Sequence, residues 1–358
     1  MSGKRVTIYD IAKELGMSAS YVSRALNDHP VVSSKIKEKV KKKAKELNYK
    51  HNSHAANLRQ GSTRTIGVII PQINQGFFSE AIAGIEEACY ENKYSLIICQ
   101  SHESFQQECK AIETLIHQNV DCILISISAE TKSAAHLEAI RENHIDVIQF
   151  DRFTDDLDGF KVINDNQEAA YAIVKHLVKE GYRKIAFIGG PENLTTFRNR
   201  KEGFIRGIKE AKLSIPYNYI VENAFTKEET TRVVTELLKS GERPDAFVTV
   251  ADHQSLAILQ AAEALNIKVP EQLGIAGFAN EFFTEMIAPS LSTTDQKSKE
   301  LGKQAANLFF NKGLKGQPSL TKEDKLIIKT KLIIRKSSQR AAGKAVPAKT
   351  TRASSKTY

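Results

Sequence analysis

The chain has 358 residues, of which 41% are hydrophobic and 26% are charged, and its formal net charge is +9. This balance is typical of a globular protein of two or three domains, and it excludes a wholly disordered chain. No apolar run approaches the roughly 18–20 residues that span a bilayer, so we expect no membrane segment. The N-terminus leads directly into a polar amphipathic stretch, which argues against a secretory signal and predicts a cytoplasmic protein.

The positive charge is concentrated at the two ends of the chain. Residues 1–64 carry 14 Lys or Arg against 5 Asp or Glu, and residues 336–358 carry 6 Lys or Arg and no acid. The intervening body has 31 basic and 37 acidic residues and is therefore mildly acidic. This pattern predicts an N-terminal module for a polyanion, attached to a body with another task.

Three short amphipathic helices are predicted in the first fifty residues. Thr7 can cap the first helix, Asp10 lies in its first turn and Gly16 ends it. Ser18 can cap a second helix, and a third begins near Ser33. The second helix is short and its outer face is small and polar, so it can enter a DNA major groove. A solvated bundle for protein contacts is the alternative, which the strongly positive local charge disfavours.

The order of residues from Val6 to Asn27 resembles the LacI/GalR family of bacterial transcriptional regulators. The match includes an aspartate-isoleucine-alanine motif at residues 10–12 and a valine-serine-arginine motif at residues 22–24, whereas Tyr21 stands where the family usually has threonine. The resemblance implies an all-α helix-turn-helix domain over residues 1–50. The DNA-contacting residues implied by the family pattern and by the polar face of the second helix are Thr7, Ser18, Ala19, Ser20, Ser23, Arg24, Asn27, Tyr49, Asn52, Ala55 and Leu58.

Residues 51–64 cannot bury an apolar face of their own and are predicted to be a hinge segment. The resemblance implies that this segment becomes a short helix on operator DNA, where Leu58 would wedge into the minor groove. Packing of Leu58 against the body is the alternative. His51 and Ala56 depart from the proline and arginine common in the family, and the second change removes a DNA contact.

From Thr65 onward, short apolar runs alternate with amphipathic stretches of helical spacing. This alternation predicts parallel sheets covered by helices on both faces. About 270 residues exceed one such sheet, so we expect two doubly wound lobes with a ligand cleft at the carboxyl ends of the strands. The predicted strands are Thr65–Pro71, Ser95–Gln100, Asp121–Ser126, Asp146–Asp151, Lys184–Gly189, Ala246–Ala251 and Leu273–Phe278.

The resemblance extends through the body to about residue 335. It implies an α/β body of periplasmic-binding-protein type over residues 65–335, with three crossovers between its lobes and dimerisation through the body. We expect the first lobe to comprise residues 65–163 and 295–324, and the second to comprise residues 164–294 and 325–335. Residues 336–358 have almost no large apolar side chain and are predicted to be a basic disordered tail.

Polar and aromatic residues near the predicted strand ends are the candidates for an effector site. They are Phe77, Phe78, Ser101, Asp151, Arg152, Phe197, Arg200, Phe225, Asp252 and Asn280. The resemblance implies that Arg200 grips an effector and that Phe77 and Phe225 stack on a ring. A guanidinium suits a carboxylate or paired sugar hydroxyls. Core packing of the aromatic side chains and a structural salt bridge at Arg200 are the alternatives.

Two departures from the family pattern bear on the effector. Ala251 stands before Asp252 where the family often has asparagine, and Ala279 replaces a carboxylate that typically holds sugar hydroxyls. Alanine cannot accept those hydrogen bonds. A sugar-related effector is our expectation, and the alternatives are an acidic effector, a protein partner of the body or no ligand.

The sequence thus predicts a sequence-specific transcriptional regulator, expected to be a repressor, that is controlled by a small molecule. Its predicted partners are near-palindromic double-stranded operator DNA, the effector and a second copy of the chain in a dimer or a tetramer. An enzyme is not expected, because no phosphate loop, metal-spaced cluster or nucleophile elbow occurs. We therefore expect no catalytic residue, no cofactor and no metal, and reduced thiols at the four cysteines.

Overall fold

The computed structural model describes residues 6–49, 62–311 and 325–340. These residues form two compact units that are separated after Thr63. The predicted hinge residues Asn52, Ala55 and Leu58 lie outside the described residues, as does the part of the predicted tail beyond residue 340.

The first unit consists of three helices: α1 (Ile8–Leu15), α2 (Ala19–Leu26) and α3 (Ser34–Glu46). The backbone N–H and the hydroxyl of Thr7 both donate to Oδ2 of Asp10, each at 2.7 Å. Gly16 ends α1 with φ +63°, a left-handed conformation that costs glycine little. These local signals confirm the predicted three-helix start of the chain.

The core of the first unit draws on every helix. Ile11, Val22, Ala25, Val40 and Ala44 are buried together. Because α2 directs its apolar residues into this core, its polar residues point away from it.

The second unit contains twelve strands within its described residues, arranged in two six-stranded sheets. The strands are β1 (Thr65–Ile70), β2 (Ser95–Gln100), β3 (Cys122–Ile125), β4 (Asp146–Phe150), β5 (Lys161–Asn164), β6 (Ile185–Ile188), β7 (Ile220–Val221), β8 (Ala246–Thr249), β9 (Gly274–Phe278), β10 (Ser292–Asp295), β11 (Lys325–Ile328) and β12 (Lys331–Ile333). The first sheet has the order β11-β5-β4-β3-β1-β2 and the second has the order β12-β10-β9-β8-β6-β7.

Helices cover both sheets, as the alternation of apolar and amphipathic segments predicted. They are α4 (Gly76–Glu91), α5 (Phe105–His117), α6 (Ala135–Glu142), α7 (Asn166–Lys179), α8 (Thr195–Glu210), α9 (Lys227–Lys239), α10 (Asp252–Ala264), α11 (Phe283–Met286) and α12 (Ser298–Phe310). Among the described residues, none of the helices combines the length and the apolar character needed to cross a bilayer.

Both sheets are parallel except at one edge. All recorded pairings of the first sheet are parallel, and in the second sheet β12 runs antiparallel to β10. The antiparallel pair arises because β12 enters the second sheet directly from β11 of the first. The two lobes therefore have the doubly wound α/β architecture predicted from the sequence.

The chain crosses between the lobes three times, and the third crossing lies later than predicted. The sequence predicts that residues 325–328 belong to the second lobe, but they form β11, which pairs with β5 of the first sheet so that Lys325 lies opposite Lys161. The second lobe resumes only at β12. The predicted boundary was wrong because the crossing occupies just two residues, too few to leave a compositional signal.

Helices α4 and α12 pack closely on the first lobe because glycines face the opposing backbone. A Cβ at Gly84 would overlap the backbone at Lys299, and a Cβ at Gly302 would overlap the backbone at Ala81. Only glycine permits this approach without separating the two helices.

The start of the predicted disordered tail is also corrected. Ser337 and Ser338 are fully buried. Oγ of Ser338 lies 2.7 Å from Nε2 of His176 and 2.6 Å from Oγ of Ser292. The guanidinium of Arg340 stacks 3.7 Å from the ring centroid of Tyr182. Residues 336–340 are ordered because these hydrogen bonds and this stacking offset the conformational entropy that the segment loses. The composition of the segment alone gave no sign of these contacts.

Candidate DNA-contacting face and interlobe cleft

The exposed face of α2 carries most of the predicted DNA-contacting residues. Ser20, Arg24 and Asn27 are exposed, and Ala19 and Ser23 are half-buried. Oγ of Ser18 accepts the N–H of Tyr21 at 3.3 Å and thereby caps α2. This cap ends the turn after α1, so it fixes where the exposed face begins.

The remaining predicted DNA residues of the first unit are Thr7, at the start of α1, and Tyr49, after α3. Thr7 is exposed and is held by Asp10 at the start of α1. Tyr21 and Tyr49 are half-buried and pack against the three-helix core. The tyrosine at position 21 therefore contributes apolar contact to the core.

A cleft between the two lobes collects eight of the ten predicted effector-site residues. They are Phe77, Phe78, Asp151, Arg152, Phe197, Arg200, Phe225 and Asp252. The parallel strands bring these residues together because their carboxyl ends meet at the facing edges of the two sheets.

Ser101 and Asn280 do not line this cleft. Ser101 is fully buried at the end of β2. Oδ1 of Asn280 accepts a hydrogen bond from Nη2 of Arg335 at 2.9 Å, and Asn280 lines a separate groove of about 690 Å³. Both residues lie just after strand ends, as predicted, but proximity to a strand end does not fix where a side chain points.

Arg152 is neutralised by a carboxylate of its own lobe. Its Nη1 donates to both carboxylate oxygens of Glu103, at 2.8 and 2.9 Å. The guanidinium also lies 5.6 Å from the ring centroid of Phe78 and 5.5 Å from that of Phe197, which belongs to the other lobe. Arg152 thus contacts both lobes while its charge is already paired.

Arg200 is buried in a different environment. Its Nε donates to Oδ1 of Asn166 at 2.8 Å and its Nη1 donates to the carbonyl of Val250 at 2.5 Å. Its guanidinium lies 4.2 Å from the ring centroid of Phe278. Burial lowers the pKa of Arg200 to about 10, at which it still carries a positive charge at neutral pH. Among the described residues, none forms an ion pair with it within 4.0 Å.

Two carboxyl groups are buried in the cleft walls. Burial raises the pKa of Asp151, against the attraction of Arg152 and Arg200. Burial also raises the pKa of Asp252 to about 7, although both of its oxygens accept from the hydroxyl of Thr293. The cleft therefore holds an acid that can change its charge near neutral pH.

The side chains nearly fill the cleft. The free space is about 60 Å³, room for a few water molecules. Pockets for drug-sized ligands are larger by roughly an order of magnitude. A ligand must therefore displace side chains or separate the lobes before it can bind between them.

Several residues around the cleft were not predicted from the sequence. They include Gln75, Thr196, His253, Phe278, Glu281 and Gln296. His253 lies four residues after the end of β8 and Glu281 lies three residues after the end of β9, so their position near strand ends is the signal that could have identified them. Glu103 and Asn166 hold the two arginines, and no sequence signal indicated those pairings. Within the described residues there is also no cluster of three or more histidine, cysteine, aspartate or glutamate side chains suited to a metal ion.

Comparisons with known families match both units. Residues 7–52 match the family described as bacterial regulatory proteins, lacI family, and residues 174–338 match a periplasmic binding protein-like domain. The chain is 31% identical over 332 residues to the HTH-type transcriptional repressor PurR of Haemophilus influenzae, covering 92% of this chain and 98% of that protein. It is 30% identical over 308 residues to PurR of Vibrio atlanticus, covering 86% and 91% of the two chains.

Solved structures share the fold. The lac repressor dimer bound to operator and the anti-inducer ONPF matches with a TM-score of 0.81 at 21% identity, covering 94% of this chain and 100% of that one. The transcription regulator CcpA of Lactococcus lactis matches with a TM-score of 0.69 at 25% identity, covering 76% and 98%.

Proposed function

The chain belongs to the LacI family of bacterial regulatory proteins and is a DNA-binding transcriptional regulator, and on that premise we propose how it works. It represses transcription in the cytoplasm by binding a near-palindromic operator as a dimer. A small molecule in the interlobe cleft changes that binding. One observation carries the proposal: a single chain contains both a helix-turn-helix unit, whose α2 has an exposed polar face, and a two-lobed body with a polar cleft.

Operator recognition is assigned to the exposed face of α2. Arg24 is exposed and its guanidinium can donate two hydrogen bonds to a guanine edge or contact a phosphate. Ser20 is exposed beside it and has a short reach, so it suits close contact with the groove. The hinge segment, residues 51–64, is proposed to place Leu58 in the minor groove between two half-sites.

Effector binding is assigned to the cleft lined by Arg200, Asp252 and the phenylalanines. Arg200 offers a charge with no ion-pair partner among the described residues, and aromatic side chains offer faces on which a ring can stack. A sugar-related molecule remains the proposed effector class. Repression is the proposed direction of regulation, because PurR, to which the chain is 30% identical, and the lac repressor, which shares its fold, are both named as repressors. Because Ala279 cannot hold a sugar hydroxyl, Asp252 is the proposed acceptor on that side of the cleft.

Selection of bound sequences from a random DNA pool with the full-length protein tests operator recognition. We expect a consensus with two-fold symmetry. Arg24→Ala should lose enrichment, while Arg232→Ala, a change at an exposed residue of α9 in the body, should retain it. Absence of enrichment by the unmodified chain at low salt, or a consensus without symmetry, would contradict the proposed dimeric repressor.

A thermal-shift screen of sugars, sugar phosphates and small carboxylates tests effector binding. A compound that raises Tm and changes the affinity for the selected operator supports the cleft assignment. If no compound raises Tm and pull-downs recover one reproducible protein, the alternative of a protein partner is favoured. The small free volume of the cleft is the observation that keeps this alternative in consideration.

A further inference from the structure

Glu281 joins the two lobes at the mouth of the cleft. It follows β9 in the second lobe, and its carboxylate accepts the backbone N–H of Gly76, the first residue of α4 in the first lobe, at 3.0 and 3.2 Å. The carboxylate thus lies where the helix dipole and the free N–H groups of α4 favour a negative charge. The Glu281 carboxylate thus occupies the position that a bound anion would take at the N-terminus of a helix.

The position of this carboxylate is fixed from both sides. The backbone N–H of Glu281 donates to Oδ2 of Asp252 at 3.0 Å, so a residue of the cleft wall holds the segment in place. On the other side, Gly76 leaves room for the carboxylate, because a Cβ at that position would overlap it. The contact therefore depends on one residue in each lobe and is connected to the cleft through Asp252.

Two further hydrogen bonds that join the lobes are made by neutral groups. Oγ1 of Thr196 donates to the carbonyl of Asp151 at 2.8 Å, and Nδ2 of Asn193 donates to the carbonyl of Ala129 at 2.6 Å. Both of these donors lie near the start of α8, whereas Glu281 follows the end of β9. Burial raises the pKa of Glu281, while the N–H groups of Gly76 and Phe77 act to lower it by favouring the ionised carboxylate. A hydrogen bond to a carboxylate in its ionised form is roughly twice as strong as one between neutral groups.

We propose that Glu281 is a latch residue that holds the two lobes closed across the cleft without an added ligand, and that releasing it changes the affinity for operator. The latch itself is a property of the body, and its effect on operator affinity rests on the proposed function. An arriving ligand that perturbs Asp252 or separates the lobes acts against this contact. The latch therefore sets the resting state from which an effector must shift the population.

Hydrogen exchange of the full-length protein tests the latch directly. Peptides containing residues 73–80 should exchange about tenfold faster or more in Glu281→Ala, because the Gly76 amide loses its charged acceptor. Glu281→Gln keeps one acceptor oxygen and should give a smaller acceleration. Glu80→Gln, a change at an exposed residue of α4 in the 690 Å³ groove that Glu281 also lines, should exchange as the unmodified chain does. Unchanged protection in Glu281→Ala would overturn the latch.

Operator affinity tests the regulatory consequence. Glu281→Ala and Gly76→Ala remove the same contact from opposite lobes, so both should shift the operator Kd in the same direction, and the double variant should shift it no further. If the shifts in operator Kd add in the double variant, or if no variant shifts the Kd, the regulatory role is overturned. The hydrogen-exchange result decides separately whether the latch exists. Failure of the unmodified chain to bind any operator would contradict the proposed function without altering the exchange result.

Discussion

The guanidinium of Arg200 lies 4.2 Å from the ring centroid of Phe278, and both residues belong to the wall of the cleft. The ring stabilises the cation by stacking, while two neutral oxygens accept its hydrogen bonds. A buried guanidinium held this way is oriented by its surroundings and keeps its charge for an added partner.

Arg200→Lys should weaken effector binding at least about tenfold, because an ammonium cannot reproduce the planar fork or the stacking. The measurement is the ligand-induced rise in Tm for a compound found in the thermal-shift screen. Arg198→Lys changes an exposed arginine on the same helix and should leave that rise intact. Equal ligand responses in the two variants would remove Arg200 from the effector site.

Asp252→Asn should make stability less dependent on pH between about 4 and 7. In the folded chain the raised pKa, about 7, keeps Asp252 protonated while the unfolded chain ionises it, so the folded state binds more protons. The unmodified protein should therefore lose stability relative to Asp252→Asn as pH rises, by on the order of 4 kcal/mol if the whole pKa difference is expressed.

Urea unfolding at a series of pH values measures this difference for Asp252. Asp156→Asn, a change at an exposed residue of the loop after β4, should follow the unmodified chain. Parallel pH profiles for Asp252→Asn and the unmodified chain would show that Asp252 does not titrate in this range.

The pair formed by Glu103 and Arg152 should behave as a coupled unit. Glu103→Ala removes the carboxylate that accepts the hydrogen bonds of the buried Arg152 guanidinium, leaves Asp151 at 4.0 Å as its remaining ion-pair partner, and should destabilise the body by about 3 kcal/mol. Adding Arg152→Met should recover part of that loss, because the poorly compensated charge is removed. A double-mutant cycle from urea unfolding measures the coupling, and simple additivity would contradict it.

Gly302→Ala should destabilise the first lobe by at least about 2 kcal/mol, since the added methyl overlaps the backbone of Ala81 and forces α4 and α12 apart. Gly241→Ala is the matched control, because a Cβ there meets nothing within 4 Å. Thermal unfolding should show a clear fall in Tm for the first variant only. A similar Tm for both would mean that the helices separate without cost.

Local chemistry accounts for what the sequence alone determined. The two ends of α1 follow from Thr7 and Gly16 and the start of α2 follows from Ser18, because these caps act on neighbouring residues and need no distant partner. The central strands followed from their apolar runs, because a strand buried on both faces has to be apolar along its length. Recognition of the family likewise rested on a contiguous stretch of residues.

Tertiary structure decided the features that depend on distant partners. Strand β11 has mostly exposed residues and became part of the first sheet only through its pairing with β5, so its composition gave no indication of its lobe. Residues 336–340 were ordered by His176 and Tyr182, which lie far earlier in the chain.

The contact between Glu281 and Gly76 is the clearest example of a feature that depends on residues distant in the chain. Gly76 and Glu281 are separated by 205 residues, and neither residue type in its local context indicates a contact. The hydrogen bond exists because two sheets, each specified by its own apolar strands, present their carboxyl edges to one another. Strand ends can therefore be located from sequence, but which side chains meet between them is determined by how the two lobes pack.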